Sequence, residues 1–324
     1  MLSLRINIAR SSSEMDRIAP LWNELLQRQA HTIFQRFSWN RLAAETFRDH
    51  VTPHVVWMES KSGAAIIPAA INRASGEIEL LGEALFDYRD VLHAGDGEVL
   101  HLVWQQMAAS GRGLRVVLVE DPAARERWKD FPMSVFARAP YVDRARVDEN
   151  TFRQAHPRLG RQMRRLNRLG ISFRSYAGEN SAVVRRLYEC KRRHFAARDN
   201  LFLDQRRCDF MVAAAALEES CCDVFTMEKG DGALVAGLVS FRDGDVRRCY
   251  TIYFHPEWAH YSPGMTLLYE VTARSLAQKL SCDYMTGDYP YKMRLANSAR
   301  RLYKVEVSAR ELAEIAARRI SKVA

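Results

Sequence analysis

Residues 222–288 constrain this chain more than any other stretch. Three strand-like runs, CDVFTMEK, ALVAGLVSFR and VRRCYTIYF, are separated by GDG and DGD. Asp-Gly between such runs supplies the positive-φ residues of tight hairpins, so an antiparallel meander is predicted. The third run passes through HPEWAHYSPG into a helical pattern, MTLLYEVTARSLAQKL, and the chain then returns to a short run, CDYMTGD. Strand, crossover helix and strand make a right-handed unit whose outer strands are parallel. Ser-Pro-Gly at 262–264 admits two readings. It is either the punctuation of a strand-to-helix turn, or a helix N-terminus left open to hold a phosphate.

The remaining elements follow from periodicity. Helical patterns occupy SEMDRIAPLWNELLQRQA, interrupted early by Pro20, and FSWNRLAAETFRDH, where Ser38 is placed to cap. The runs HVVWMES, AAIIPAAIN, EIELLGE and DYRDVLH read as strands, followed by the helix GEVLHLVWQQMAAS and the strands LRVVLVED and MSVFARAPYV. Residues 143–155 read as a connector, giving two halves, 1–150 and 151–324. The second half opens with HPRLGRQMRRLNRLG, whose Leu159, Met163, Leu166 and Leu169 share a face. SAVVRRLYECKRRHFAARD follows, with Val184, Leu187, Tyr188 and Phe195 inward. A helix over 205–219 precedes the meander, and YKVEVSA with a basic helix closes the chain. The fold class is α+β, bordering on α/β.

Charge is concentrated. Residues 158–207 hold fourteen Lys or Arg against four Asp or Glu, a surplus of ten in a chain whose net charge is +9. Such a block suits an anionic partner, whether nucleic acid, an acidic membrane surface or a phosphorylated cofactor, or else it is simply a pair of solvated helix faces. The six cysteines show no C-x-x-C and no metal-ligand spacing with the histidines, so reduced thiols and no metal are expected. No apolar run suits a secretory signal or a span of roughly 20 residues, and a cytoplasmic protein is expected. The absence of G-x-S-x-G, G-x-x-x-x-G-K and G-x-G-x-x-G argues against a hydrolase, an NTPase and a Rossmann oxidoreductase.

Several strings carry a resemblance: RLGRQMRRLNRLG, YSPGMTLL and GDYPYK, with PLWNEL, FSWN, IIP and DYRDVL in the first half. Together they resemble the GNAT acyltransferases. The similarity is to the branch of cellulose-biosynthesis and biotin-synthase-associated acetyltransferase-like proteins, close to the Fem peptidyltransferases. The resemblance implies two tandem GNAT-like halves, each a mixed, mostly antiparallel sheet flanked by helices. It implies direct transfer from acetyl-CoA or another acyl-CoA to an amine or hydroxyl of a sugar, cell-envelope precursor or small metabolite. The alternatives are a Fem-like, aminoacyl-tRNA-dependent peptidyltransferase, or a degenerate fold that only binds an anionic partner. Two departures stand out. In the family's Q/R-x-x-G-x-G/A loop, Ser262 takes the middle glycine's place, Gly264 the last and Ala259 the basic position. Tyr289 stands where related proteins carry Glu.

On that resemblance, Ser262, Gly264, Met265 and Thr266 would bind the cofactor, with backbone N–H groups from the last three and a hydroxyl from Thr266. Asp288 would be the base, Tyr291 would orient or protonate the leaving thiolate, and Lys292 would pair with a phosphate or an acidic substrate group. The alternative for the last three is a Tyr-Pro turn with a solvated lysine. Tyr250 and Tyr253, read as sharing a strand face, would line an acceptor tunnel or belong to the core. His255, His260 and Tyr261 would contact cofactor or acceptor, or be merely exposed. Asp87 and Tyr88 in DYRDVL would recognise substrate, or sit on a half-exposed edge strand.

Overall fold

The computed structural model describes residues 5–120, 125–177, 181–195 and 201–318. The chain forms two compact units, one of Met1–Ala137 with Arg301–Ala324, the other of Arg138–Arg300. The last strand and helix, which the sequence reading attached to the second half, therefore complete the core of the first unit.

In the first unit, β1 (Ile6–Ala9), β3 (Val55–Glu59), β4 (Gly63–Ile67) and β7 (Leu92–Gly95) form an antiparallel sheet in the order β1-β3-β4-β7. A second ladder joins β2 (Val51–Pro53), β5 (Ala69–Asn72), β6 (Ile78–Leu80), β8 (Leu114–Glu120) and β15 (Ser298–Val307). AAIIPAAIN thus supplies two strands rather than one. Pro68 has no N–H for a ladder, and the chain changes sheets there, from β4 to β5. Pro20 does not interrupt a helix. It sits in the first turn of Ala19–Arg28, where a missing N–H costs nothing. Ser38 does not cap the helix Phe37–Thr46, whose N-cap is Arg36. The helices Gly97–Ala108 and Ala309–Ala317 bury Val103, Trp104, Met107, Leu312 and Ile315 in one apolar cluster with Trp128 and Phe131.

In the second unit, β10 (Ser172–Ala177), β11 (Cys222–Glu228), β12 (Leu234–Asp243) and β13 (Val246–Phe254) run as the predicted meander. Gly232 and Gly244 hold φ of +82° and +61° at the two turns, as tight hairpins require. The helix Pro263–Ala277 crosses over to β14 (Ser281–Asp283), which pairs parallel with β13. Tyr141 and Val142, at the end of β9 (Met133–Val142), pair antiparallel with the far side of β14. The predicted connector contains a helix, Glu149–Ala155, capped by the Asp148 side chain. Its Phe152 stacks on Tyr269 of the crossover helix, with ring centroids 5.7 Å apart. Leu159 and Leu166 of the arginine-rich helix Pro157–Arg168 join the same core.

Two consecutive arginines on β13 are buried. Arg247 donates to the Asp223 carboxylate at 2.6 Å and to the Ser275 hydroxyl at 2.9 Å. Arg248 donates to Asp243 and to Asp283, each at 2.8 Å, and Asp283 is fully buried. The second pair links β13 to β14 within their parallel register. Removing one partner of a buried pair strands the other charge, at a cost of about 3–5 kcal/mol. Arg248→Met should therefore lower the unfolding free energy of the second unit, measured by urea denaturation, by that much, and an unchanged value would show the pair to be dispensable.

Candidate functional site

β14 is only three residues long and pairs with Val246–Arg248 alone. Beyond Arg248, β13 continues for six residues with β12 as its only neighbouring strand among the described residues, so the parallel pair splays open. The register also slips here. Cys249 faces Ser240 and Thr251 faces Val239, which leaves Tyr250 as an extra residue with no opposite number. The splay borders two spaces that share part of their lining. A cleft of about 590 Å³ is lined by Lys191, Phe195, Ile252, Phe254, Gly264 and Tyr291, among others. A chamber of about 130 Å³ shares Lys191, Ile252 and Tyr291 with it and adds Tyr250, Tyr284 and Lys292.

One wall of the cleft is the N-terminus of the crossover helix. A 3-10 turn, Pro256–Tyr261, leads to Ser262, which adopts a left-handed φ of +49° and caps the helix without using its side chain. Thr266 is turned inward, because its amide and its hydroxyl both donate to the Ser262 carbonyl at 3.0 Å. Of the three amides expected to hold a phosphate, those of Gly264 and Met265 remain in the first turn, where helical acceptors are lacking. Pro263 has no N–H. Gly264 also permits close packing, since a Cβ there would lie 3.3 Å from the Phe254 ring. Ser262 and Ala259 both line the cleft. The residue at the family's basic position is therefore in place but uncharged.

The opposite wall comes from GDYPYK. Gly287 holds φ of +104°, and a Cβ there would fall 2.6 Å from the Tyr289 ring. The short helix Pro290–Met293 then turns Tyr291 and Lys292 inward. Burial pushes the Tyr291 phenol up to about 12, with neighbouring Tyr289 adding to the effect. Lys292 is 8% exposed, and its ammonium donates to the Thr286 carbonyl at 2.7 Å and the Met285 carbonyl at 3.3 Å. Asp288, the expected base, is exposed and lines neither space. The geometry therefore separates it from the two residues it was grouped with.

The expected acceptor residues also divide. Tyr250 lines the chamber, whereas Tyr253 lines neither space, is 1% exposed and bonds through its hydroxyl to His194 at 2.7 Å. Asp87 and Tyr88 lie in the first unit. Tyr88 is 1% exposed there, against Phe34 with ring centroids 6.3 Å apart. The Tyr261 carbonyl accepts from Gln162 at 2.7 Å, and its ring lies under Arg165 at 4.7 Å.

Lys191 was missed by the sequence reading. It comes from the helix Ser181–His194, lines both spaces and donates to the Ile252 carbonyl at 2.9 Å. Burial pulls its pKa down to about 8, helped by the charge of Lys292. Its position was legible, since residue 191 falls on the same helical stripe as Val184, Leu187, Tyr188 and Phe195. Cys249 lines the chamber, but the neighbouring Cys282 thiol and then burial push its pKa well up, which disfavours the nucleophilic thiolate. Among the described residues there is no cluster of His, Cys, Asp and Glu able to hold a metal, and no helix long and apolar enough to cross a membrane.

A meander feeding, through an open helix N-terminus, a parallel strand that splays away is the architecture of the GNAT acyltransferases. Residues 153–293 match the family described as acetyltransferase (GNAT) domain, and this part of the chain is a GNAT domain. No curated protein matches the chain in sequence. Among solved structures, the C-terminal domain of a putative lysylphosphatidylglycerol synthetase from Agrobacterium fabrum is similar at TM-score 0.59 and 14% identity, over 97% of this chain and 96% of that one. FemX is similar at TM-score 0.56 and 9% identity, over 96% and 99%. A tandem GNAT protein from the clavulanic acid biosynthesis pathway is similar at TM-score 0.52 and 10% identity, over 93% and 98%. At such identities these likenesses speak for the fold, and they cover both units.

The Gly287 conformation fixes where Tyr291 and Lys292 enter the site. Gly287→Ala should cost about 1–3 kcal/mol through its φ alone, because the exposed Tyr289 ring can swing clear of the new Cβ but the backbone cannot relax. Chemical denaturation checks this, and a loss below about 0.5 kcal/mol would show the turn to be freely remodelled.

Proposed function

We propose that the second unit transfers an acyl group from acetyl-CoA or another acyl-CoA directly to an amine or hydroxyl acceptor, in a cytoplasmic setting where such thioesters are available. The acceptor class is a sugar, cell-envelope precursor or small metabolite. The observation that carries this reading is the cleft at the strand splay, whose lining brings together Gly264 and Met265 of the open helix end and Tyr291. The two amides and the helix dipole suit the cofactor's pyrophosphate. The cofactor's amide-bearing arm suits the edge of β13, whose 249–254 segment has a strand neighbour on one side only.

In this arrangement the acceptor nitrogen or oxygen attacks the thioester carbon, a tetrahedral oxyanion forms, and the C–S bond then breaks. Tyr291 stays protonated at neutral pH because its pKa is near 12. It serves best as a hydrogen-bond donor to the oxyanion or the departing sulfur, while the proton shed by the acceptor leaves through the open cleft. Asp288 lies outside the lining, so its place as base has no geometric support. With no nucleophilic cysteine in the lining, direct transfer is favoured over a covalent acyl-enzyme.

One observation favours a second reading, an aminoacyl-tRNA donor or another anionic partner. Arg158, Arg161, Arg164, Arg165 and Arg168 are all exposed on one helix, and none pairs with a carboxylate among the described residues. Binding to tRNA that collapses between 50 and 200 mM salt, without any response to CoA, would support that donor instead.

Met265→Asp tests the cofactor end, where a carboxylate in a first turn is mildly stabilising and offsets part of the packing that Met265 makes on the core. Its charge would meet the pyrophosphate. Calorimetry on the folded variant should show CoA affinity falling at least tenfold, about 1.4 kcal/mol. Equal affinity for both proteins would place the phosphates elsewhere.

A further inference from the structure

We propose that Lys191 is the general base of the transfer, its amine taking the proton that the acceptor nitrogen or oxygen sheds as it attacks the thioester carbon. This rests on the acyl-transfer reading, in which that proton leaves through the open cleft. Among the described residues only Lys191, Ile252 and Tyr291 line both the cleft and the chamber. Gly264 and Met265 of the helix end line the cleft alone, and the chamber, at about 130 Å³, admits only a small group. A thioester arm reaching along the cleft and a small acceptor in the chamber would meet beside the three shared residues. Ile252 brings an apolar side chain, and Tyr291 stays protonated at neutral pH. The Lys191 amine is the shared group able to take a proton.

The structure holds this amine in place without holding its charge. Its Nζ donates to the Ile252 carbonyl at 2.9 Å. An ammonium and a neutral amine both have an N–H for that bond, so losing a proton exposes a lone pair without moving the group. No carboxylate pairs with Lys191 among the described residues, whereas a carboxylate partner would favour the charged form. Burial pulls its pKa down to about 8, the Lys292 charge adding to the effect, and a buried lysine tuned to this range suits proton transfer near neutral pH. The titratable groups lining the two spaces beside it are Cys249 and Tyr250 of β13, Tyr284 beyond β14, and Tyr289, Tyr291, Lys292 and Arg294. The described lining contains no Asp, Glu or His. Lys292 adds only its charge, since the Met285 and Thr286 carbonyls already hold its ammonium.

In the step itself the acceptor's lone pair forms the new bond to the carbonyl carbon while its hydrogen passes to Lys191. The tetrahedral intermediate then expels sulfur with the C–S electron pair, and the proton on Lys191 goes on to the thiolate or to water in the cleft. Acyl-CoA and acceptor become CoA thiol and an amide or ester, and the enzyme ends as it began. Lys191 moves the proton and not the acyl group, because an acyl group on its nitrogen would be an amide, too stable to pass on.

The test uses the full chain with acetyl-CoA as donor. Methoxyamine, an amine that is neutral throughout the range, and glycerol serve as acceptors between pH 6 and 10, with CoA release followed by chromatography. For the wild type kcat should rise with pH to a plateau, with a midpoint near 8, because the neutral amine is the working form. Trace labelling with an N-hydroxysuccinimide ester, read by peptide mass spectrometry, should give Lys191 the same midpoint. Lys191→Met and Lys191→Arg should each lose about a hundredfold or more in kcat at pH 8, and the midpoint with it, while acetyl-CoA affinity stays within about threefold. Arginine is the telling variant, since it keeps a cation able to bond Ile252 but cannot give up its proton. Lys191 is not the base if arginine restores the rate or if either variant keeps the wild-type pH profile. Nor is it the base if the labelling and kinetic midpoints differ by more than about one pH unit, or if acetyl-Lys191 accumulates in step with CoA release. Should a variant not fold, the two wild-type midpoints decide. A wild type that releases CoA to neither acceptor nor to water sinks acyl transfer and this base with it. Unimpaired turnover in both variants sinks the base alone.

Discussion

The second unit depends on the Arg248–Asp283 pair, buried where β13 and β14 run side by side. Their parallel ladder is only three residues long. Hydrogen bonding over three residues is a weak tie between strands that must then diverge. A fully buried carboxylate, bonded to a guanidinium that also holds Asp243, adds a linkage that cannot be broken without exposing charge to a low dielectric. The ladder is held shut at one end so that it can open at the other. The extra residue at Tyr250 helps, since a bulge bends a strand and increases its twist directly after the pair.

Everything that lines the opening is set by elements packed against this splay. The crossover helix lies close enough to β13 that only a glycine fits at 264 without pressing on Phe254. That closeness brings the free first-turn amides to the cleft rather than to bulk solvent. On the other side, Gly237 of β12 packs against Leu187, where an added Cβ would come within 2.5 Å of the leucine side chain. The helix Ser181–His194 therefore sits low on the sheet, and Lys191, one turn beyond Leu187, reaches the chamber. Two glycines with ordinary backbone angles thus set the depth of two walls.

Much of this was legible in the sequence. Asp-Gly turns and apolar runs gave the meander, and the loop-helix-strand order gave the parallel crossover. Ser-Pro-Gly marked the open helix end, and GDYPYK marked the facing wall. What escaped was decided by contacts distant in sequence. Thr266 looked like a ligand, but a hydroxyl one turn into a helix finds the carbonyl four residues back. Asp288 looked like a base by its neighbours, but Gly287 turns the chain so that Tyr291 and Lys292 point in while Asp288 stays exposed. Tyr250 and Tyr253 were read as sharing a face, and the structure gives them different surroundings, one beside the chamber and one against His194. The final strand could not be assigned to either unit from its own residues, because YKVEVSA carries no mark of the Leu114–Glu120 strand it pairs with.

The missing basic residue at Ala259 deserves a physical account, because it was the main sequence argument against a phosphate at this loop. A cation need not be next in sequence to be next in space. Gln162 holds the Tyr261 carbonyl and Arg165 lies over the Tyr261 ring, so the arginine-rich helix is fastened to the loop that contains Ala259. Exposed charges that face no carboxylate keep their field for a ligand, although salt screens it over about 8 Å at physiological ionic strength. The helix end contributes about 0.3–1 kcal/mol through its dipole to an anion at an exposed site. On the proposed reading its amides fix where the phosphate sits, and the arginines of the neighbouring helix, absent from the described lining of the cleft, act only through their screened field.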